Sequence, residues 1–117
     1  MAYVDGFVIP VPKTRLDDYK AMAKTGSEVW MELGALHYVE TIGDDVPMGE
    51  LTSFPRAVQA KDDEVVVFSW IVYKDKASRD EIMAKIMDHP RLKDSMNNPP
   101  FDGKRMIFGG FAPFIQI

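Results

Sequence analysis

The chain opens with an apolar strand followed by a long amphipathic helix. Residues 3–11 form a short apolar run that ends in a Pro-Val-Pro sequence, and such a run predicts a β-strand. Thr14 with Asp17 resembles the capping pair at the start of a helix. Apolar residues then recur at steps of three and four until Gly34, which is a natural helix stop. This stripe consists of Leu16, Tyr19, Ala23, Gly26, Trp30 and Leu33.

The middle of the chain contains the strongest strand signal. Residues 36–42 alternate as a second strand does, but neither face is purely apolar, so we expect this strand near a sheet edge or beside a wet cavity. A polar loop over residues 43–52 and a short strand over residues 54–60 follow. Residues 65–73 are continuously apolar, which predicts a strand covered on both faces. Because helices on one side of a sheet cannot cover both faces, we expect a partner.

A second helix and a final strand complete the chain. A capping-box sequence begins at Ser78, and an apolar stripe follows it over two turns. This helix is expected to end before Pro90, since the residue preceding a proline avoids the helical region. Residues 91–96 are a candidate for a further helical turn. Residues 105–117 predict a last strand, which two adjacent glycines interrupt with a bulge or bend.

The order of these elements is the split βαβ pattern of the ferredoxin-like fold. We therefore predict a single α+β domain over residues 1–117, with an antiparallel sheet and two helices on one of its faces. At residues 65–73 the other face is too apolar to lie in water. A homodimer in which two sheets pack face to face and close into a barrel would cover it.

The amino-acid composition agrees with the predicted single domain and argues against several classes of protein. Hydrophobic residues make up 46% of the 117-residue chain and charged residues 27%, which is ordinary for one globular domain. The 14 basic residues are scattered among 18 acidic ones, and this balance argues against a general nucleic-acid binder. No apolar stretch reaches the length that spans a bilayer, and residues 1–12 lack a signal-peptide pattern. Cysteine is absent, so we expect a cytoplasmic protein without disulfides.

Asp5 is a charge inside the apolar first strand, and a charge there needs a partner. Arg56 and Arg105 lie in or beside other predicted strands, and they are the expected partners. In one interpretation Asp5 is half of a buried ion pair that fixes the dimer, and in the other it is a catalytic base that lines a cleft. The first interpretation is favoured, because paired buried charges commonly serve structure.

Tyr38 and Glu40 share one face of the second predicted strand. If that face points into the barrel, they offer a phenol and an acid to a bound small molecule. If it points outward, Glu40 is an ordinary edge charge, and both interpretations stay open. Together with Asp5 and Arg56, these residues are the candidate catalytic groups.

The candidate ligand-binding residues also belong to the predicted strand regions. They are Phe7, Ser69, Trp70 and Arg105. Trp70 would wall an apolar pocket, although core packing is the favoured role for it, and Ser69 lies on the opposite face of the same strand.

No motif in the sequence predicts a metal, cofactor or phosphate site. The two histidines, His37 and His89, are far apart and share no ligand spacing. We interpret His89 as a helix-end residue, where a positive charge suits the helix dipole. The pair Gly109 and Gly110 lacks the following helix that a phosphate loop requires. We therefore expect no bound cofactor and no metal.

Six stretches of the chain carry a family resemblance. They are residues 3–7, 43–47, 57–58, 66–71, 100–107 and 109–111. Together they resemble the YbaA-like family of bacterial proteins over nearly the whole chain. The resemblance implies a dimeric α+β barrel, but it carries over no catalytic residues. At the level of fold alone, the wider superfamily includes cofactor-free monooxygenases, haem-degrading enzymes, isomerases and stress-related proteins.

Three functions are consistent with these features. The first is a homodimer that binds a small, partly apolar molecule, either in the barrel or between sheet and helices, and is open to cofactor-independent chemistry there. The second is a non-catalytic interaction or stress-response module that acts through its surface, for example through the acidic loop over residues 43–50. The third is a haem- or metal-dependent enzyme. A cavity on which several candidate groups converge would favour the first.

Overall fold

A computed structural model describes residues 2–117, with the backbone alone at Met96. The strands are β1 (Tyr3–Pro12), β2 (His37–Ile42), β3 (Glu64–Tyr73) and β4 (Ile107–Phe111). The helices are α1 (Leu16–Leu33), α2 (Phe54–Ala57), α3 (Lys76–Ile86) and α4 (Pro90–Asn97), with a 3-10 turn at Lys13–Arg15. The strands form one antiparallel sheet in the order β2-β3-β1-β4. This is the α+β, ferredoxin-like arrangement that the sequence predicts.

The sheet is built around the long pair β1 and β3. All 10 residues of β1 pair with β3, from Tyr3 opposite Tyr73 to Pro12 opposite Glu64. Strand β2 forms one edge of the sheet, as expected for a strand without a purely apolar face. Strand β4 pairs with β1 at the other edge and is shorter than the strand predicted over residues 105–117. As in any β-strand, alternate residues of each strand point to opposite faces of the sheet.

One face of the sheet, the covered face, packs against α1, α3 and α4 and holds the core. The buried residues of α1 are Tyr19, Ala23, Gly26 and Val29. They follow the predicted stripe closely, except that Val29 is fully buried and Trp30 only partly. The sheet contributes Ile9, Val11, Val67, Ile71 and Tyr73 to the same core. Each large apolar side chain buried in this way stabilises the fold by about 1.5–3 kcal/mol.

The other face of the sheet, the open face, is apolar and uncovered in the single chain. It carries Val4, Val8, Val39, Phe68, Trp70, Val72, Ile107 and Phe111. Phe68 is 41% exposed and Phe111 62% exposed. Strand β3 is thus apolar on both faces, as predicted. Helices α1, α3 and α4 cover only one of them, whereas on the other face Phe54 of α2 contacts Phe68, with ring centroids 5.7 Å apart. An uncovered apolar face of this kind typically marks an interaction surface.

The predicted strand over residues 54–60 is wrong, because its first half is the helix α2. The Ser53 hydroxyl accepts a hydrogen bond from the backbone N–H of Arg56 at 3.1 Å and so caps this helix. Pro55 lies in the first turn, where its missing N–H removes no helical hydrogen bond. A serine cap followed by proline starts a helix here and outweighs the strand preference of the neighbouring apolar residues.

Helix α3 begins earlier than the capping box predicts. Its N-cap is Asp75, whose carboxylate accepts a hydrogen bond from the backbone N–H of Ser78 at 2.7 Å. This bond lowers the pKa of the Asp75 carboxyl. Ser78 therefore lies inside the first turn, and the predicted pairing of Ser78 with Glu81 does not form the cap.

Helix α4 contains 8 residues where only a further turn was predicted. His89 is its N-cap, because the ring Nδ1 accepts a hydrogen bond from the backbone N–H of Arg91 at 3.2 Å. His89 also lies at the end of α3, as predicted, since its backbone N–H donates to the carbonyl of Ile86 at 3.1 Å. Its ring acts as an acceptor at the start of the following helix, where the dipole is positive.

Candidate functional site

A cavity of about 370 Å³, the inner cavity, lies between α1 and the covered face of the sheet. Its apolar lining includes Phe7, Met22, Trp30, Ile71, Phe101 and Met106. Helix α4 and the segment before β4 contribute further residues to its lining. The volume and the apolar lining are typical of small-molecule sites.

Glu40 is the one carboxylate among the described residues that line the inner cavity. Its Oε1 accepts a hydrogen bond from the Tyr19 hydroxyl at 2.8 Å, and its Oε2 accepts one from the Tyr38 hydroxyl, also at 2.8 Å. Tyr19 comes from α1, whereas the alternation of β2 places Tyr38 and Glu40 on the same face. We call these three residues the Glu40 cluster. Both carboxylate oxygens are held by donors, which fixes the orientation of the side chain.

The two phenols of the Glu40 cluster remain protonated at neutral pH. Burial raises the pKa of Tyr19 above its usual value, and the negative charge of Glu40 raises it further. The pKa of Tyr38 is raised by the same two causes in the same order. Because a neutral phenol is a hydrogen-bond donor, Tyr19 and Tyr38 can donate either to Glu40 or to an oxyanion on a ligand.

Gly26 makes room on α1 for the Tyr38 hydroxyl. A Cβ at this position would lie 3.2 Å from the Tyr38 hydroxyl oxygen and 3.6 Å from the Trp30 ring. Glycine inside a helix costs about 0.5–1 kcal/mol relative to alanine. A glycine at this point of the helix lets Tyr38 approach α1 closely and pack against Trp30, with ring centroids 5.8 Å apart.

A second depression of about 330 Å³, the outer groove, opens to solvent beside the inner cavity. The two share a wall formed by Tyr19, Ala23, Tyr38 and Glu40. The remaining lining of the outer groove is Lys20, Lys24, Ser27, Thr41, Ile42 and Val67. The Glu40 cluster therefore lies in the wall that the inner cavity shares with the outer groove.

Asp5 is buried and paired, as predicted, but its partner is not one of the arginines that the sequence suggested. Arg79 of α3 donates from Nε to Asp5 Oδ1 at 3.0 Å. The expected pairing with Arg56 or Arg105 is wrong, because α3 packs on the covered face where Asp5 lies and brings Arg79 to it. Asp5 therefore anchors a helix to the central strand.

Asp5 is also connected to the wall of the inner cavity. The Tyr73 hydroxyl donates to Asp5 Oδ2 at 2.9 Å, and Trp30 Nε1 donates to the Tyr73 hydroxyl at 3.1 Å. Burial raises the pKa of Tyr73, and the charge of Asp5 adds to this effect. The Trp30 ring lines the cavity, so Asp5 lies outside the site but supports one of its walls.

Arg56 and Trp70 lie away from the inner cavity. Arg56 donates to the backbone carbonyls of Met48 and Gly49, at 2.8 and 3.3 Å, and so holds the loop before α2. Trp70 lies on the open face of β3, opposite to Ser69. An interaction role for the acidic loop that Arg56 holds stays a prediction.

Arg105 joins the segment before β4 to the start of β3. It forms a bidentate ion pair with Glu64, with both N–O distances at 2.7 Å, and contacts Asp102 at 3.0 Å. The hydrogen bonds from Arg105 lower the pKa of the Glu64 carboxyl. All three guanidinium nitrogens bond to acceptors of the protein, including the carbonyl of Gln59. Arg105 therefore has a structural role, in which its ion pairs and hydrogen bonds join two parts of the chain.

The chain matches known proteins along nearly its whole length. Residues 2–103 match the sequence profile of the family described as Protein of unknown function (DUF1428). The chain belongs to the DUF1428 family. It is also 49% identical, over 116 residues that cover 99% of both chains, to the Uncharacterized protein YbaA of Escherichia coli (strain K12). The YbaA-like resemblance predicted from the sequence is therefore confirmed.

Solved structures similar to this DUF1428 protein share its fold. A dimeric ferredoxin-like protein from an uncultured marine organism has a TM-score of 0.65 at 10% identity, covering 99% of this chain and 98% of that chain. SnoaB of Streptomyces nogalater, described as a cofactor-independent oxygenase, has a TM-score of 0.54 at 12% identity, covering 99% and 94%. At these identities the likeness concerns the fold alone.

The inner cavity of this DUF1428 protein brings together part of the predicted site. The predicted residues that line it are Phe7, Tyr38, Glu40 and Ser69. Tyr19 was not predicted as a site residue, because it was assigned to the apolar stripe of α1. The available signal was its hydroxyl, since a buried tyrosine usually finds a hydrogen-bond partner. Trp30 packs against the core, as predicted, but it also lines the cavity.

The described part of this DUF1428 protein contains no recognisable metal site. Within residues 2–117, no three histidine, aspartate or glutamate side chains lie together in a way that could hold a metal ion. The expected absence of a metal and a cofactor stays a prediction. None of the helices in the same range is both long and apolar enough to cross a membrane. The cytoplasmic location also stays a prediction.

Proposed function

We propose that this DUF1428 protein binds a small, largely apolar molecule in the inner cavity and that Glu40 accepts a proton from it. The geometry of Glu40 is the observation that carries this proposal. It is the single carboxylate among the described residues of an apolar cavity, and Tyr19 and Tyr38 fix both of its oxygens. A carboxylate positioned in this way is suited to act as a general base.

The proton transfer uses side chains of the chain itself. One oxygen of Glu40 takes the proton from the ligand, and the electron pair left behind moves onto a ligand oxygen. The phenol that had donated to that Glu40 oxygen, Tyr19 or Tyr38, then donates to the new oxyanion. Molecules with an acidic C–H bond beside a carbonyl group, or with an acidic O–H bond, fit this chemistry.

A protein of similar fold supports an enzymatic role. SnoaB is described as a cofactor-independent oxygenase, so in that protein the same fold carries out a reaction without a cofactor. Fold alone does not determine a reaction, and the proposal for this chain therefore rests on its own Glu40 cluster.

A cavity-filling substitution tests the proposal. Met22 lines the inner cavity, so Met22→Trp would occupy part of its volume. We expect the affinity for the neutral fluorophore N-phenyl-1-naphthylamine to fall by about 10-fold or more in a fluorescence titration. Met87→Trp is the matched control, because Met87 is 60% exposed and lies outside the cavity lining. Equal affinity of the two variants, or no binding by the wild-type protein, would contradict the proposal.

We also propose a homodimer formed through the open face. Phe68 and Phe111 are exposed there, and burying them stabilises an assembly by about 25 cal/mol for each Å² of apolar surface. The similar marine protein is described as dimeric, which supports a dimer here as well. Sedimentation analysis should give twice the 13.2 kDa mass of the chain, and Phe68→Lys should give monomers. A monomeric wild-type protein at micromolar concentration would rule this assembly out.

A further inference from the structure

Two lysines of the outer groove are one helical turn apart on α1. Lys20 and Lys24 are both exposed, and both line the groove. Among the described residues neither forms an ion pair, whereas several other basic side chains do. Those in ion pairs are Arg15, Lys76, Arg79, Lys85, Arg91 and Arg105. Like charges four residues apart on a helix repel each other by about 0.2–0.5 kcal/mol, and an anion between them would offset this repulsion.

The outer groove, which these lysines line, shares a wall with the inner cavity. Tyr19 and Ala23 belong to both linings, and they lie on α1 beside Lys20 and Lys24. A molecule that extends past this wall would have its apolar part in the inner cavity and its polar end in the groove. The polar end would meet ammonium groups, which favour an anion.

Glu40 restricts where such an anion can lie. It belongs to the shared wall, and its negative charge would repel a second negative group placed against it. The hydroxyl hydrogens of Tyr19 and Tyr38 already point at both Glu40 oxygens. The anionic group is therefore favoured on the lysine side of the groove, and the apolar part on the cavity side.

We propose that the ligand is a small amphipathic anion. Its apolar body fills the inner cavity, and its carboxylate, sulfonate or phosphate group lies between Lys20 and Lys24 in the outer groove. This inference rests on the proposed binding function, because it assumes that the inner cavity is occupied. It adds the chemical class of the ligand and its orientation, with the apolar part in the inner cavity and the anionic group in the outer groove.

Two fluorophores with the same ring system test this inference. N-phenyl-1-naphthylamine is neutral, and 8-anilino-1-naphthalenesulfonate carries an added sulfonate. In the variant Lys20→Gln/Lys24→Gln we expect the affinity for the sulfonate probe to fall by about 5- to 10-fold and the affinity for the neutral probe to stay unchanged. The affinity of the wild-type protein for the sulfonate probe should also weaken as salt is added.

The control variant is Lys13→Gln/Lys74→Gln, which removes the same charge at two exposed lysines outside both linings. An equal loss of sulfonate affinity in the two double variants, or no loss in either, would overturn the amphipathic anion while leaving the cavity proposal intact. A neutral probe that does not bind the wild-type protein, or that binds Met22→Trp equally well, would overturn the binding function itself.

Discussion

Replacing Glu40 with glutamine is expected to lower the rate at which the protein opens the ring of 5-nitrobenzisoxazole by about 10²- to 10⁴-fold. This probe reaction needs one base in an apolar surrounding. The base takes the C–H proton, the N–O bond breaks, and its electron pair stays on the phenolate oxygen of the product. Glutamine has the size of glutamate and can still bond to Tyr19 and Tyr38, but its amide is not a base. The initial rate is measured from the absorbance of the product.

The matched control for this experiment is Glu32→Gln, which removes an exposed carboxylate of α1 outside both linings. We expect its rate to equal that of the wild-type protein. Unchanged rates in both variants would show that Glu40 is not the base. Melting temperatures of the variants, measured in parallel, separate a loss of chemistry from a loss of folding.

Asp5→Ala is expected to lower the free energy of unfolding by about 2–4 kcal/mol. The substitution leaves the Tyr73 hydroxyl without its acceptor and Arg79 without its buried partner. Arg79 keeps its contact with Asp80 and reaches solvent, so the expected loss is smaller than for a pair that is buried completely. Urea denaturation at neutral pH measures the change through the shift of the midpoint.

Asp80→Ala is the control for Asp5→Ala, because Asp80 also contacts Arg79, at 2.8 Å, but lies at the surface. Solvent screens such a contact, and we expect little change in the unfolding midpoint. If the two variants lost equal stability, Asp5 would not be the buried anchor of α3. Because Asp5 holds Tyr73 and Tyr73 holds Trp30, the tryptophan fluorescence of Asp5→Ala should also change.

The fold could be predicted because the hydrophobic patterns of its long helices and strands all indicate the same arrangement. The stripe of α1 repeats over a helix of 18 residues, and the apolar run of β3 lies at the centre of the sheet. The errors fall where a single side chain decides a boundary. Ser53 and Asp75 each start a helix through one hydrogen bond, and such a bond is easily missed beside a strong apolar pattern.

The site could be predicted only in part. The period of two along β2 places Tyr38 and Glu40 on one face, but both faces of β2 are mixed, so the pattern did not show which of them meets the helices. The hydroxyl of Tyr19 signals that it needs a hydrogen-bond partner, but that this partner is Glu40 depends on how α1 lies across the sheet. The same holds for Arg79, because its meeting with Asp5 is set by the packing of α3.

An X-ray structure of the protein soaked in 4-bromophenol tests the proposed site most directly. We predict anomalous scattering from bromine in the inner cavity near Phe7 and Phe101, with the ligand oxygen within hydrogen-bond distance of the Glu40 cluster. Bromine found only on the open face or between molecules, with the inner cavity free of ligand, would contradict the assignment of this cavity as the binding site.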